Sequence, residues 1–358
     1  MNRPKHGGNP SWAATVAGCP PSLILDFSAS ISPLGPPSTA LAAIKLHIDN
    51  LTNYPNPDYP ELCQAIAAHH QIPARWVLPG NGAAELLTWA GWEFSKLNTT
   101  LLPTPAFGDY WRSLQTFGTR IIPRSMMMDD GEIGDLDFAL RHLPTEIPHS
   151  LGLIVNNPHN PTGQIWSKET ILAYLSEFDL VLVDESFMDF LPPTEQQSLI
   201  PFVAQYSNLV ILRSLTKFYS LPGLRLGYCI GHPDRLRRWK NWRDPWPVNS
   251  LAAAAAIAVL GDTEFERSTW DWLAEARSGL FDGLKQIAGL HPYPGAANFI
   301  LVRSDRSVTE LQTKLLEQHQ ILIRDCISFP ELGDRFFRVA VRTLSENDRL
   351  LTALRSVN

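Results

Sequence analysis

The stretch DLVLVDES, residues 179–186, decides the fold. Its apolar core of four residues is short for a helix and too continuous for a strand with one wet face. It reads as a strand buried on both sides, which is the signature of a parallel sheet. NLVILRSL (208–215) and LGLIVNNP (151–158) repeat the pattern, and TTLLP (99–103) and GTRIIP (118–123) are shorter versions of it. Helical spacing separates them: AAELLTWAGWEF (83–94) carries an apolar stripe, and so does SKETILAYLSEF (167–178) after a Ser-x-x-Thr start. Strands alternating with helices predict an α/β fold whose large domain is a mainly parallel sheet covered by helices, with ligands beyond the carboxyl ends of the strands.

The pattern changes further along the chain. LAAAAAIAVL (251–260) and residues 264–287 read as long helices, followed by ANFILVRS, ILIRDC and FFRVAVRT, which alternate like strands of a smaller α+β unit. DPWPVN (244–249) has two prolines that break a helix, and the boundary falls there. The expected division is an extended, Gly- and Pro-rich N-terminal arm over 1–35, a large domain over 36–247 and a small C-terminal domain over 248–358.

Composition limits the function. With 358 residues, 44% hydrophobic and 18% charged, the chain is long enough for a large core with a smaller companion. A net charge of −6, with RLRRWKNWR (235–243) the one dense basic run, argues against nucleic acid as a partner. Four scattered cysteines form no metal-like spacing, the histidines form no HExxH pair, and neither a signal peptide nor a bilayer-length apolar run is present. A soluble cytoplasmic protein without metal or membrane is expected.

Three strand ends carry chemistry: NNPHNPTG (156–163), VDES (183–186) and SLTK (214–217). Each should open onto one crevice, bringing together Asn160, Asp184 and Lys217: an amide, a carboxylate and an amine. A pyridine-ring aldehyde cofactor uses all three, through a Schiff base to the lysine, a carboxylate on the ring nitrogen and an amide on the phenolate oxygen. Singly the signals are weak. Asp-Glu after an apolar strand also holds Mg²⁺ in nucleotide hydrolases, but the required GxxxxGK[ST] is absent; NPTG alone is a turn; and a lone lysine is most often a surface charge.

In this order the motifs resemble those of the fold-type I pyridoxal-phosphate enzymes, the aspartate aminotransferase superfamily, over essentially the whole chain. The resemblance implies pyridoxal 5'-phosphate as cofactor, Lys217 as the Schiff-base lysine, Asp184 as the pyridinium partner and Asn160 as donor to the ring oxygen. It makes Arg225 and Ser214 ligands of the cofactor phosphate, joined by backbone N–H groups of Gly82, Ala83 and Ala84 in GNGAAELL (80–87). Phe107 would stack on the ring. Tyr54, in NYPNPDYPELCQAIA (53–67), would reach the phosphate of a neighbouring subunit, so that a homodimer with composite sites is implied.

Within the superfamily, HGGNP (6–10), LDFSASISPLG (25–35) and DESFMDF (184–190) are most similar to threonine-phosphate decarboxylases of cobalamin biosynthesis, with Ser30 and Ser32 in place of two usual asparagines. Histidinol-phosphate aminotransferases, which usually carry Tyr where Phe187 stands, are the alternative. A pyridoxal-fold binding protein without turnover is a third reading, against which the intact lysine, carboxylate, amide and arginine speak. The implied substrate is a phosphorylated amino acid, L-threonine O-3-phosphate, with Arg338 on the α-carboxylate and His6 and Arg324 on the substrate phosphate.

Overall fold

The computed structural model describes residues 3–128, 132–141 and 150–357. A two-residue strand β1 (Leu25–Asp26) precedes a seven-stranded sheet of β2 (Val77–Gly80), β3 (Thr99–Thr104), β4 (Ile121–Ser125), β5 (Leu151–Asn156), β6 (Leu180–Asp184), β7 (Leu209–Ser214) and β8 (Gly227–Gly231). Their order across the sheet is β2-β8-β7-β6-β5-β3-β4, and β8 alone runs antiparallel to its neighbours. Every residue of β5, β6 and β7 is buried, as their unbroken apolar runs require when helices cover both faces.

The smaller sheet is antiparallel, in the order β12 (Arg324–Asp325), β13 (Phe336–Ala340), β10 (Phe299–Ser304) and β9 (Leu290–Pro292). The segment ILIRDC, expected as one strand, divides: its first half, β11 (Ile321–Leu322), pairs with β1 instead. The arm is therefore stitched by a separate two-stranded parallel ladder to the segment that leads into the small sheet. Nor is the arm extended throughout, because Pro10–Ala17 is helical, with the Asn9 side chain accepting from Trp12 N–H and left-handed Gly18 closing the far end.

Register sets the crevice. Asn156, Asp184 and Leu212 lie side by side across β5, β6 and β7, so the chain leaves all three strands at one level. The helix Gly82–Phe94 starts at the same edge. Its close approach requires glycine at position 227, where a Cβ would stand 2.7 Å from Ala83 N and 3.0 Å from Gly82 C.

Candidate active site

Beyond these strand ends lies a cavity of about 470 Å³. Asn160, Asp184, Ser214, Lys217, Arg225, Ala83, Ala84, Phe107, His6, Arg324 and Arg338 all line it, so segments far apart in sequence meet at one place. Gly82 sits just behind, at φ +75°, and a Cβ on it would come within 2.5 Å of Arg225 Nη2. Tyr54 is not in the cavity: it is 80% exposed and stacks on Trp246 with ring centroids 4.5 Å apart.

At the centre, Lys217 is half-buried with its Nζ 3.5 Å from Ser214 Oγ and 5.1 Å from the centre of the Phe187 ring. Burial lowers its pKa, opposed by Asp184 and reinforced by Arg225 and Arg338. Asp184 has both oxygens occupied: Tyr110 O–H donates to Oδ2 at 2.7 Å and Ser186 N–H to Oδ1 at 2.9 Å. The two donors fix the orientation of this buried carboxylate. Burial and this same carboxylate push the Tyr110 phenol far up, which keeps it a donor. Asn160 is fixed by its own N–H, donating to Asn156 Oδ1 at 2.7 Å, and its Oδ1 accepts from Arg338. Its amide N–H groups remain for a ligand.

The cavity has a cationic cluster at each end. One combines Arg225, the Ser214 and Thr216 hydroxyls 2.7 Å apart, and the first turn of the helix Gly82–Phe94, whose leading N–H groups have no partner within the helix. The other combines Lys5, His6, Arg324 and Ser328. Arg324 is buried and donates to Lys5 O and Ser328 Oγ at 2.5 Å each and to Pro4 O at 3.4 Å. It stands directly opposite Arg338 across β12 and β13. Neither guanidinium is ion-paired to a carboxylate among the described residues. Two like charges facing each other in a cavity are unfavourable without anions. Burial with Arg324 nearby pulls Arg338 down to about 10, and the Arg338 guanidinium stacks 4.6 Å over Phe299.

A family model for class I and II aminotransferases matches residues 24–354. The chain belongs to this family. It is 40% identical to the threonine-phosphate decarboxylase of Salmonella typhimurium, over 98% of this chain and 96% of that one. Among solved structures, the histidinol-phosphate aminotransferase of Clostridium acetobutylicum superposes with a TM-score of 0.85 at 29% identity, covering 93% of this chain and 99% of that one. A histidinol-phosphate aminotransferase from Sinorhizobium meliloti, solved in complex with pyridoxal-5'-phosphate, shares the fold at a TM-score of 0.85 and 23% identity, over 97% and 94% of the two chains.

The residues of this aminotransferase-family chain fit that cofactor. A half-buried amine of lowered pKa, a carboxylate fixed by two donors, an amide with free donors and a glycine-floored cup under an arginine match its aldehyde, ring nitrogen, ring oxygen and phosphate. Sequence reasoning passed over several residues of the cavity, Tyr110, Ser186, Lys5, Ser328 and Thr216 among them. Tyr110 was signalled by its spacing: three residues after Phe107 at a helix start, it shares that face, with ring centroids 5.6 Å apart. Ser186 lay within VDES. Lys5 adjoins His6, and Ser328 had no signal. Of the two serines standing for asparagine, Ser32 N–H donates to Lys217 O at 3.0 Å, tying the arm to the lysine loop, whereas buried Ser30 lines the cavity with its hydroxyl unpaired.

Proposed function

We propose that this chain is a pyridoxal-phosphate-dependent carboxy-lyase that converts L-threonine O-3-phosphate to (R)-1-amino-2-propanol phosphate and carbon dioxide, for cobalamin assembly. The observation that carries the reading is the unpaired Arg324–Arg338 couple facing the cavity. It suits a substrate with two anionic groups, a carboxylate for Arg338 and a phosphate for Arg324, His6, Lys5 and Ser328. Histidinol phosphate brings one anion to the two arginines, which makes transamination of that compound the second reading.

When bound, pyridoxal phosphate supplies an electron-poor ring that accepts the electron pair left on the substrate Cα when a bond to it breaks. The chain supplies the rest. Asp184, oriented by Tyr110 and Ser186, would hold a proton at the ring nitrogen, and Asn160 would donate to the ring oxygen. Arg225, Ser214 and the helix N-terminus would bind the cofactor phosphate. Arg338 and the Arg324 cluster grip the substrate at two points, which fixes the bond presented for cleavage. Lys217, whose lowered pKa makes its ammonium a readier proton donor, would hold the proton that takes the carboxylate's place on Cα. The Phe187 ring, backed by Phe299 with centroids 5.0 Å apart, walls this position on one side.

Incubating the purified protein and cofactor with threonine phosphate, serine phosphate and histidinol phosphate tests the reading. Carbon dioxide and the amine phosphate are expected from threonine phosphate. A keto acid with aminated cofactor and no carbon dioxide would replace it with the aminotransferase reading.

The active unit in this reading is a cytoplasmic homodimer, the covering partner being a second copy of the chain. Support comes from the exposed apolar side chains Leu46, Ile48, Leu51, Tyr54, Trp246 and Ile257, of which Tyr54 and Ile257 border a hollow of about 460 Å³. A sedimentation experiment returning only monomer would remove the dimer. Among the described residues no helix is long and apolar enough to cross a membrane.

A further inference from the structure

The ends of β6 and β7 carry functional side chains on one face and a second, hidden set on the other. Asp184, Ser186, Ser214 and Thr216 line the cavity. Glu185 and Arg213, one residue out of phase, turn away from it by strand alternation and meet behind the sheet, where both are fully buried. Arg213 Nη2 is 2.8 Å and Nε 3.0 Å from Glu185 Oε2, Nη2 donates to Ser198 Oγ at 3.1 Å, and Nη1 pairs with the Asp189 carboxylate. Glu185 is bound in turn by Leu199 N–H at 2.8 Å and Ser198 O–H at 2.7 Å. Trp270 N–H holds the Asp189 carbonyl at 2.8 Å.

Buried ion clusters of this kind are on average no more stabilising than a well-packed apolar core of the same shape. What this one fixes is more informative than what it contributes to stability. Arg213 precedes Ser214 directly and Lys217 by four residues; Glu185 follows Asp184; Asp189 closes the turn that follows Phe187. One guanidinium therefore ties together, from behind, the backbone segments that present the amine, the carboxylate and the ring wall to the cavity.

We propose that Arg213, acting with Glu185, is a positioning residue that sets the placement of Asp184 relative to the Lys217 amine. The inference rests on the roles given to Asp184 and Lys217 above. It commits to geometry rather than charge, because the planar fork reaches Glu185, Asp189 and Ser198 at once and an ammonium cannot.

The test uses the full-length protein loaded with pyridoxal phosphate, as wild type and as Arg213→Lys, Arg213→Met, Glu185→Gln and Asp184→Asn. Displacing a reacting group by about 1 Å costs on the order of a hundredfold, so kcat with threonine phosphate is expected to fall about that far in Arg213→Lys and Glu185→Gln, with KM little changed. Two further readouts should move with it: the pH midpoint of the visible absorbance of the loaded enzyme, and the rate at which cofactor leaves on dialysis. Should Arg213→Met fail to fold, the near-isosteric Glu185→Gln carries the test alone. Folded variants that lose thermal stability but keep wild-type kcat and absorbance midpoint would overturn the proposal. So would Arg213→Lys behaving as wild type while Arg213→Met does not, since charge alone would then suffice. Near-normal turnover in Asp184→Asn would overturn the underlying role of Asp184 as well. An inactive Asp184→Asn beside a normal Arg213→Lys would overturn this inference only.

Discussion

The two cationic ends of the cavity are built from different materials. At the Arg225 end the donors are backbone N–H groups at a helix start and two hydroxyls on the lysine-bearing segment, packed so closely that Gly82 and Gly227 have no room for a Cβ. At the His6 end the donors are side chains on an arm and a two-residue strand. Arg324 is buried, but Lys5 and His6 are exposed on their segment, which is held by Arg324 to Pro4 O and Lys5 O and by Gly8 N–H to Ser28 Oγ at 2.8 Å. Preorganised dipoles that need not rearrange suit a group that stays through every turnover. Charged side chains on a tethered arm suit one that must arrive and leave.

The largest effect should come from breaking the fixed end. Arg225→Ala removes a forked, charged donor from a phosphate dianion, and hydrogen bonds to charged groups contribute about 1.5–3 kcal/mol each. Losing two of them weakens cofactor binding by about a hundredfold or more, to be read by dialysis against pyridoxal phosphate. Threonine-phosphate KM, measured at saturating cofactor, should change little. An unchanged cofactor affinity would show that the helix start and the hydroxyls carry the phosphate without the arginine.

The same contrast explains what the sequence disclosed. The fixed end was legible because its requirements are local: unbroken apolar strands, a glycine turn into a helix, and Ser214, Lys217 and Arg225 within twelve residues. The Arg324 end depends on pairings that no local rule specifies. Nothing in ILIRDC says that its first half leaves the small sheet for β1, or that Arg324 then faces Arg338. Arg324 and His6 were named through resemblance, while Ser328 and the carbonyls of Pro4 and Lys5 came only with the fold. The clamp behind the sheet was equally silent, since Glu185 and Arg213 gain meaning only when β6 and β7 lie side by side.

A smaller loss is expected at the other end. Arg324→Ala should raise KM for threonine phosphate about ten- to a hundredfold, the range for one buried charged contact, and leave cofactor affinity unchanged. Arg324 also holds the arm, so the substitution needs a control for loosening. Unphosphorylated threonine lacks the phosphate but meets the same arm. If only the phosphorylated substrate suffers, Arg324 acts on the phosphate; equal losses for both would assign it to the arm.

The smallest effect belongs to His6 and depends on pH. Burial, then the Arg324 and Lys5 charges, lower its pKa below the usual value, with Asp109 opposing, while the Phe107 ring lies 6.0 Å away. The lowered pKa favours the neutral imidazole in the free protein, and a bound phosphate favours its protonated form, so binding takes up a proton. The sign follows: a lowered pKa means the cation is present only at acidic pH, and its contribution to phosphate binding grows as pH falls and fades as pH rises. The substrate phosphate titrates near pH 6 and would blur a single profile. Dividing KM of His6→Gln by KM of wild type at each pH cancels the substrate's own titration. That ratio should approach one at alkaline pH and rise to about fivefold below pH 6, the upper range for a partly solvated ion contact. A ratio that stays flat with pH would mean that His6 acts by shape alone, and the arm end of the cavity would then rest on Arg324 and Lys5.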